Sequence, residues 1–316
     1  MATVRELLEA GIVRLRESGS ETARLDAELL LAHALDTDRT TVIAHTDAPV
    51  GDGAGERFRT LLDRRSAGEP VAYIRGVKEF HGLAFGVDAR ALIPRPETER
   101  LVELVELEVV RRLIGAPRPV GAPKVRVIDV GAGGGAVLVT LAVLLRRRRM
   151  DDEVELVASD VSEDALQLAR ENAVAHAVGD RIRFERADLL PGSETARWDV
   201  VAANLPYVRT EAIPSLPVAA SFEPRLALDG GPDGLAVIRR IVAGAPAVLR
   251  PAGLLLMEIG EEQAGPVASL MAAEGFSGIR ARRDLNGVER YIGGRWAPTA
   301  TAFAGCASGA ARREGC

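Results

Sequence analysis

The chain has 316 residues, 47% of them hydrophobic, with a formal net charge of -5 and a pI near 5.6. That length carries one large domain and a small one around a sizeable core, and the acidic balance gives no electrostatic footprint for tight duplex binding. Cys306 and Cys316 both fall in the last stretch, where they can neither staple a core nor build a metal site.

A reducing, cytoplasmic setting fits this cysteine usage. The N-terminus carries early acids and no apolar signal core, so no secretory signal is expected. The longest apolar stretch, Ala136 to Leu145, is too short to span a bilayer and reads as a buried helix.

Residues 1–70 form a small helical domain by periodicity: Leu7, Leu8, Ile12 and Leu15 recur at helical spacing, and Leu25, Leu29, Leu30, Ala32 and Leu35 mark a second helix. Asp36 to Arg39 breaks it, Ala48 to Gly53 is a loop, and Phe58, Leu61 and Leu62 mark a further helix before Gly68-Glu69-Pro70. His33, His45, His81 and His176 make no pair at metal-ligand spacing, so no metal is expected. Over residues 71–92 the pattern changes. Val71-Ala72-Tyr73-Ile74 and Leu83 to Val87 are short β-like runs with Gly76 and Gly82 between them, which predicts a β-hairpin connector. Ile93-Pro94-Arg95-Pro96-Glu97-Thr98-Glu99 is then a rigid corner whose acids open a helix through Leu101, Leu104, Val105 and Leu107.

Residues 93–297 form the large domain. After a loop from Gly115 to Lys124, strands and helices alternate: Val125 to Val130, a helix from Ala136, Val154 to Ser159, a helix from Glu163, Ile182 to Glu185, and Trp198 to Ala203. A long loop, a helix from about Gly234, Leu254 to Ile259, another helix and two strands near Ile279 and Tyr291 complete it. Such alternation means an α/β, doubly wound, mostly parallel sheet. Arg146 to Arg149 reads as a solvated helix end rather than a nucleic-acid track. The Ala-, Gly- and Thr-rich tail, residues 298–316, is expected to be disordered.

Two stretches carry chemistry. Asp129-Val130-Gly131-Ala132-Gly133-Gly134-Gly135 closes the first strand of the large domain and opens a helix, so its glycines turn the chain where a ligand approaches the backbone. Gly131, Gly133 and Ala136 satisfy a dinucleotide fingerprint, while Asp129 with Gly131, Gly133 and Gly135 satisfies the pattern for S-adenosylmethionine. Asp160 ends the next strand, where a carboxylate can accept from both ribose hydroxyls, and Asp188-Leu189 follows the third at adenine height. Both cofactors fit these residues. Asn204-Leu205-Pro206-Tyr207 discriminates between them. The Asn204 side-chain oxygen and the Leu205 carbonyl are two acceptors for the protons of a planar NH2 group. Pro206 stiffens that arm, and Tyr207 offers a ring face for stacking. Methyl transfer to nitrogen needs such a device and hydride transfer does not.

These segments resemble the glutamine methyltransferases of bacterial peptide chain release factors. The resemblance extends to about Trp296 and includes Leu25 to Leu30, Phe80 to Phe85, the Ile93 to Glu99 corner, Glu223-Pro224-Arg225-Leu226-Ala227-Leu228 and Glu258-Ile259-Gly260. It implies a seven-stranded Rossmann-like methyltransferase sheet and an N-terminal helical domain that engages the release factor. It also implies S-adenosyl-L-methionine held by Asp129, Gly131, Ala132, Gly133, Gly134, Gly135, Asp160, Asp188, Leu189 and Asn204. The glutamine of the factor's glycine-glycine-glutamine loop would lie against Asn204 to Tyr207. The family normally has proline where this chain has Leu205, and hydroxyl residues where it has Ala132 and Gly134. Three rivals remain open at this point: an adenine amino-group methyltransferase on RNA or DNA, a glutamine methyltransferase acting on a ribosomal protein, and a non-catalytic binding module. Nucleic acid is not the expected primary substrate, and no membrane partner is expected.

Overall fold

The computed structural model describes residues 1–115, 123–191 and 197–297. The expected tail at 298–316, with both cysteines, and most of the expected loop between Gly115 and Lys124 lie outside the described residues. The chain divides into two compact units, the first made of Met1–Glu79, Ala84–Ile93 and Ser215–Pro224 and the second of the rest.

In the first unit, α1 (Val4–Glu17), α2 (Ala23–Ala34), α3 (Arg39–Ala44), α4 (Asp52–Ser66) and α5 (Val71–Arg75) pack their apolar stripes together. A capping box opens α1, with the Thr3 hydroxyl accepting from the Glu6 amide and the Glu6 carboxylate accepting from Thr3 N. Leu15, Leu30, Leu31 and Phe58 are fully buried at the centre. Asp26 is buried among donors: Ser20 Oγ and Thr22 Oγ1 each lie at 2.9 Å and Arg65 Nε at 2.8 Å.

The run Val71 to Ile74, expected as a strand, is helical. Pro70 supplies the N-cap and Gly76, at φ +69°, closes the turn in the left-handed region, so chain punctuation overrides the β-propensity of Val71, Tyr73 and Ile74. The hairpin is displaced downstream to β1 (Val77–Phe80) and β2 (Leu83–Gly86). The unit also holds the Ser215–Pro224 segment. There the buried Glu223 carboxylate accepts the Ile93 amide at 3.1 Å.

The second unit is a seven-stranded sheet in the order β5-β4-β3-β6-β7-β9-β8. Its strands are β3 (Val125–Val130), β4 (Val154–Asp160), β5 (Ile182–Arg186), β6 (Trp198–Asn204), β7 (Leu249–Glu258), β8 (Phe276–Arg283) and β9 (Glu289–Trp296). The helices are α6 (Pro96–Ile114), α7 (Ala136–Arg147), α8 (Glu163–Ala175), α9 (Ala236–Val248) and α10 (Ala264–Ala273). β3 to β7 run parallel, and β9 is antiparallel to both β7 and β8. Central strands covered on both faces read as continuous apolar runs, as Val200 to Ala203, all fully buried, illustrate.

The strand order reverses between β3 and β6, which pair in register from Val127↔Val200 to Val130↔Ala203. The segments leaving these two strands therefore emerge side by side at the carboxyl edge, the usual ligand crevice of such sheets. The arginines at the end of α7 are exposed: Arg148 pairs with Glu106 at 2.8 Å and Arg146 caps the His176 carbonyl at 3.1 Å, as a solvated helix end does. On the buried face of α6, Glu108 accepts from Arg111, Arg112 and Arg295 at 2.6–3.0 Å, which holds its carboxyl down at about 2 despite burial. No helix among the described residues is long and apolar enough to cross a membrane.

Candidate active site

The glycine loop is pinned by the neighbouring strand. Gly131 N and Ala132 N donate to the Ser159 carbonyl at 2.9 and 3.0 Å. Gly131, Gly133 and Gly135 adopt φ of +74°, +52° and +83°, which only glycine reaches cheaply. A Cβ on Gly135 would stand 2.9 Å from Ala169 Cβ, so this glycine lets α8 approach. The Gly134 carbonyl accepts from Asn172 Nδ2 at 2.9 Å.

Two carboxylates border this loop. Asp160 Oδ2 accepts the Gly133 amide and Oδ1 the Ser162 amide, both at 2.9 Å, which ties the second strand's acid to the loop. Asp129 is only 1% exposed and its Oδ2 has no hydrogen-bond partner. Burial, with the Asp160 charge adding to it, pushes its carboxyl up to about 7. An orphaned buried acceptor next to a second acid suits a donor-bearing cation and would repel a pyrophosphate.

The remaining expected cofactor residues behave differently from one another. Leu189 adopts φ +69°, its carbonyl accepts from Ser159 Oγ at 2.9 Å, and its side chain packs on the core of the sheet. Asp188 is exposed and its carboxylate pairs with Arg240 at 2.7 Å. Its side chain is thus held by a surface arginine rather than by the loop.

Asn204 ends β6 and faces Glu258 of β7 in register. Its Nδ2 donates to Thr98 Oγ1 at 3.0 Å, and Thr98 Oγ1 donates to Glu258 Oε2 at 2.8 Å. Leu205 is buried, with Cδ2 only 2.8 Å from the point a Gly131 Cβ would occupy. The leucine side chain therefore rests on the glycine loop. The arm from Asn204 to Tyr207 and the glycine loop touch through that contact. The rest of the arm is clamped by Gln263, whose Nε2 donates to the Tyr207 carbonyl at 3.1 Å and the Gly234 carbonyl at 3.3 Å while its Oε1 accepts from Gly260 N at 2.8 Å. The Tyr207 ring lies against Gly260, where a Cβ would meet Cδ2 at 3.2 Å.

Two groups near the arm titrate abnormally. Burial raises the Tyr207 hydroxyl, with Glu258 adding to the effect, so the ring stays neutral. Burial raises Glu258 to about 7, against the opposing pull of Thr98, Arg290 and Asn204. Sequence alone does not single out Thr98, Glu258 and Gln263 as site residues. Thr98 lies inside the Ile93 to Glu99 corner, and Glu258 is an acid terminating a buried apolar strand, which was the available signal for it.

Comparison with known proteins accords with this geometry. Residues 6–76 match the model described as PrmC N-terminal domain, and residues 122–274 match a methyltransferase domain. A release factor glutamine methyltransferase of Moorella thermoacetica is 39% identical over 86% of this chain and 91% of its own, and that of Geobacter sulfurreducens is 37% identical over 93% and 96%. Among solved structures, the catalytic domain of human METTL16 in complex with MAT2A 3'UTR hairpin 6 superposes with a TM-score of 0.51 at 15% identity, covering 78% of this chain and 82% of that one, a likeness of fold alone. With relatives at these identities covered over most of their length and with both domain models matched, the chain belongs to the release factor glutamine methyltransferase family.

Proposed function

We propose that the protein transfers a methyl group from S-adenosylmethionine to the side-chain amide nitrogen of the glutamine in the glycine-glycine-glutamine loop of peptide chain release factors, in the cytoplasm. The observation that carries this reading is the seating of Leu205 on Gly131, which brings an arm built to hold an NH2 group against a loop built to hold a cationic cofactor.

The residues fit the cofactor. The glycines from Gly131 to Gly135 leave room for it, Asp129 offers an orphaned carboxylate oxygen, Asp160 retains lone pairs beyond its two backbone donors, and Leu189 supplies an apolar wall. When bound, S-adenosylmethionine supplies an electrophilic methyl on a sulfonium. An amide nitrogen is a poor nucleophile because its lone pair is conjugated. Asn204 Oδ1 and the Leu205 carbonyl accept hydrogen bonds from its two N–H groups, stabilise the positive charge that grows on the nitrogen as the N–C bond forms and the methyl–sulfur bond breaks to leave a thioether, and direct its lone pair at the methyl; the nitrogen then loses one proton to solvent. Tyr207 is neutral and ring-packed, so it confines the flat amide without adding charge. Leucine at 205 keeps the main-chain acceptor that proline would have supplied.

The test is transfer of labelled methyl to purified release factor, with a glutamine-to-alanine loop variant, total RNA and purified ribosomal proteins as comparison acceptors. Label on the factor that disappears with the loop variant is the expected result. Label on RNA alone, on a ribosomal protein, or on nothing despite cofactor binding would each overturn it.

A further inference from the structure

We propose that Thr98 and Glu258 form a one-way hydrogen-bond chain that fixes which end of the Asn204 carboxamide faces the substrate, making both of them positioning residues for the methyl transfer. The inference rests on the reading of Asn204 as the acceptor of the substrate NH2.

A carboxamide has one accepting end and one donating end, and rotating it by half a turn exchanges them. Only the accepting end can receive the protons of a glutamine NH2; the donating end would set donor against donor. Something must therefore choose. In the structure Asn204 Nδ2 points at Thr98 Oγ1, and the Thr98 hydroxyl proton is directed at Glu258 Oε2. A hydroxyl has a single proton. While Glu258 is ionised it has none to give, so the Thr98 proton goes to the carboxylate, Thr98 can only accept from the asparagine, and Asn204 Oδ1 is left for the substrate. The chain reverses if Glu258 carries a proton: the carboxyl can donate to Thr98, the threonine proton turns toward the asparagine, and the amide is drawn round with Nδ2 outward.

The environment of Glu258 places this choice near neutrality. Thr98 and Glu97 of α6, Asn204 and Tyr207 at the end of β6, and Arg290 and Tyr291 of β9 face its carboxyl. Burial and Glu97 favour the protonated form; Thr98, Arg290 and Asn204 favour the ionised one. The surroundings are dry enough for one proton to matter: Thr98 is 5% exposed and Glu258 1%.

The experiment measures steady-state methyl transfer to release factor, at saturating cofactor and varied factor, across pH for wild type, Thr98→Val, Thr98→Ser and Glu258→Gln. Thr98→Val keeps the shape and removes the hydroxyl; it should lower kcat roughly 100-fold, the scale of a misaligned reacting group, with little change in KM. Thr98→Ser should restore most of the rate. In an Asn204→Ala background, Thr98→Val should cost no further factor, because nothing is left to orient. Wild-type kcat should climb as pH rises through neutrality and be flat with pH in Glu258→Gln, which keeps an acceptor oxygen but cannot ionise. NMR of the Asn204 carboxamide protons in isotope-labelled protein should show a shift over the same pH interval in the absence of substrate.

Full rate in folded Thr98→Val, or a Thr98→Val penalty that persists undiminished beside Asn204→Ala, overturns the inference while leaving the methyl transfer in place. If Thr98→Val does not fold, an unaltered pH profile in Glu258→Gln overturns it instead. Wild-type protein that methylates no release factor removes the reading beneath it and the inference together.

Discussion

Replacing Asp129 with asparagine should stabilise the protein at alkaline pH and weaken its hold on the cofactor. The carboxyl is buried, one oxygen is orphaned, and it titrates at about 7 against roughly 3.9 in an unfolded chain. Between those two values the folded state binds more protons than the unfolded state, so folding stability falls as pH rises from about 4 to 7 and is level above. The gap corresponds to about 4 kcal/mol at about pH 8. Asparagine is free of that cost but buries an amide of its own, which offsets about 1–3 kcal/mol. The net gain of about 2 kcal/mol at about pH 8 is a Tm rise of about 4–8 °C for a unit of this size, and it should vanish or reverse at about pH 5. Calorimetric titration at about pH 8 should show weaker S-adenosylmethionine binding, because the cation has lost its counter-charge. Thermal denaturation of both proteins over this pH range checks the first half. A difference between them that does not change with pH would refute the reasoning, as would tighter cofactor binding in the variant.

Asn204→Ala should lower kcat by about 10³-fold, the scale of losing a charge-stabilising partner in the transition state, while cofactor binding measured by calorimetry is partly retained. Glu108→Gln should cost about 3 kcal/mol near neutral pH, seen in urea denaturation. Because its folded value, about 2, lies below the unfolded one, that contribution is complete above about pH 4.3 and lost as pH falls toward 2, so the two proteins should converge in acid. Gly234→Ala puts a Cβ 2.4 Å from the Tyr207 carbonyl oxygen and 2.8 Å from Gln263 Nε2, at a φ of +74°. It should lower turnover by displacing the arm and cost at least about 1–2 kcal/mol in the left-handed backbone alone, both read by steady-state kinetics alongside thermal denaturation.

Local signals in the sequence are enough to place the strands and helices of the large domain and the two candidate stretches at strand ends, because buried parallel strands are unbroken apolar runs and the stretches follow directly from two of them. Register was not legible in the same way. That Asn204 faces Glu258, and that the last strand inserts antiparallel between β7 and β8, are decided by pairing between residues far apart. Thr98 illustrates the same limit. Within its own segment it is one residue in the first turn of a helix, and its role arises only when α6 sets it against two strand ends. Val71 to Ile74 failed for the opposite reason. Its composition favours a strand, but a proline before it and a left-handed glycine after it leave room for one helical turn. The pairing of Asp188 with Arg240 of α9 is likewise invisible locally, since the two lie far apart in the chain.

The bond from Ile93 N to Glu223 has a consequence for how the protein is made. The helical unit takes its last piece, Ser215–Pro224, from chain synthesised 130 residues after the amide that Glu223 receives. At translation speeds of about 5–20 residues per second, that is a wait of roughly 6–26 s. During it the nascent helices can collapse around Leu15, Leu30 and Phe58, but Ile93 lacks its acceptor and Gly68 lacks the Val218 side chain that covers it. The unit that appears first in the chain is therefore finished only after four strands of the second unit's sheet have left the ribosome's active centre, and a fragment ending at residue 93 would carry that gap permanently.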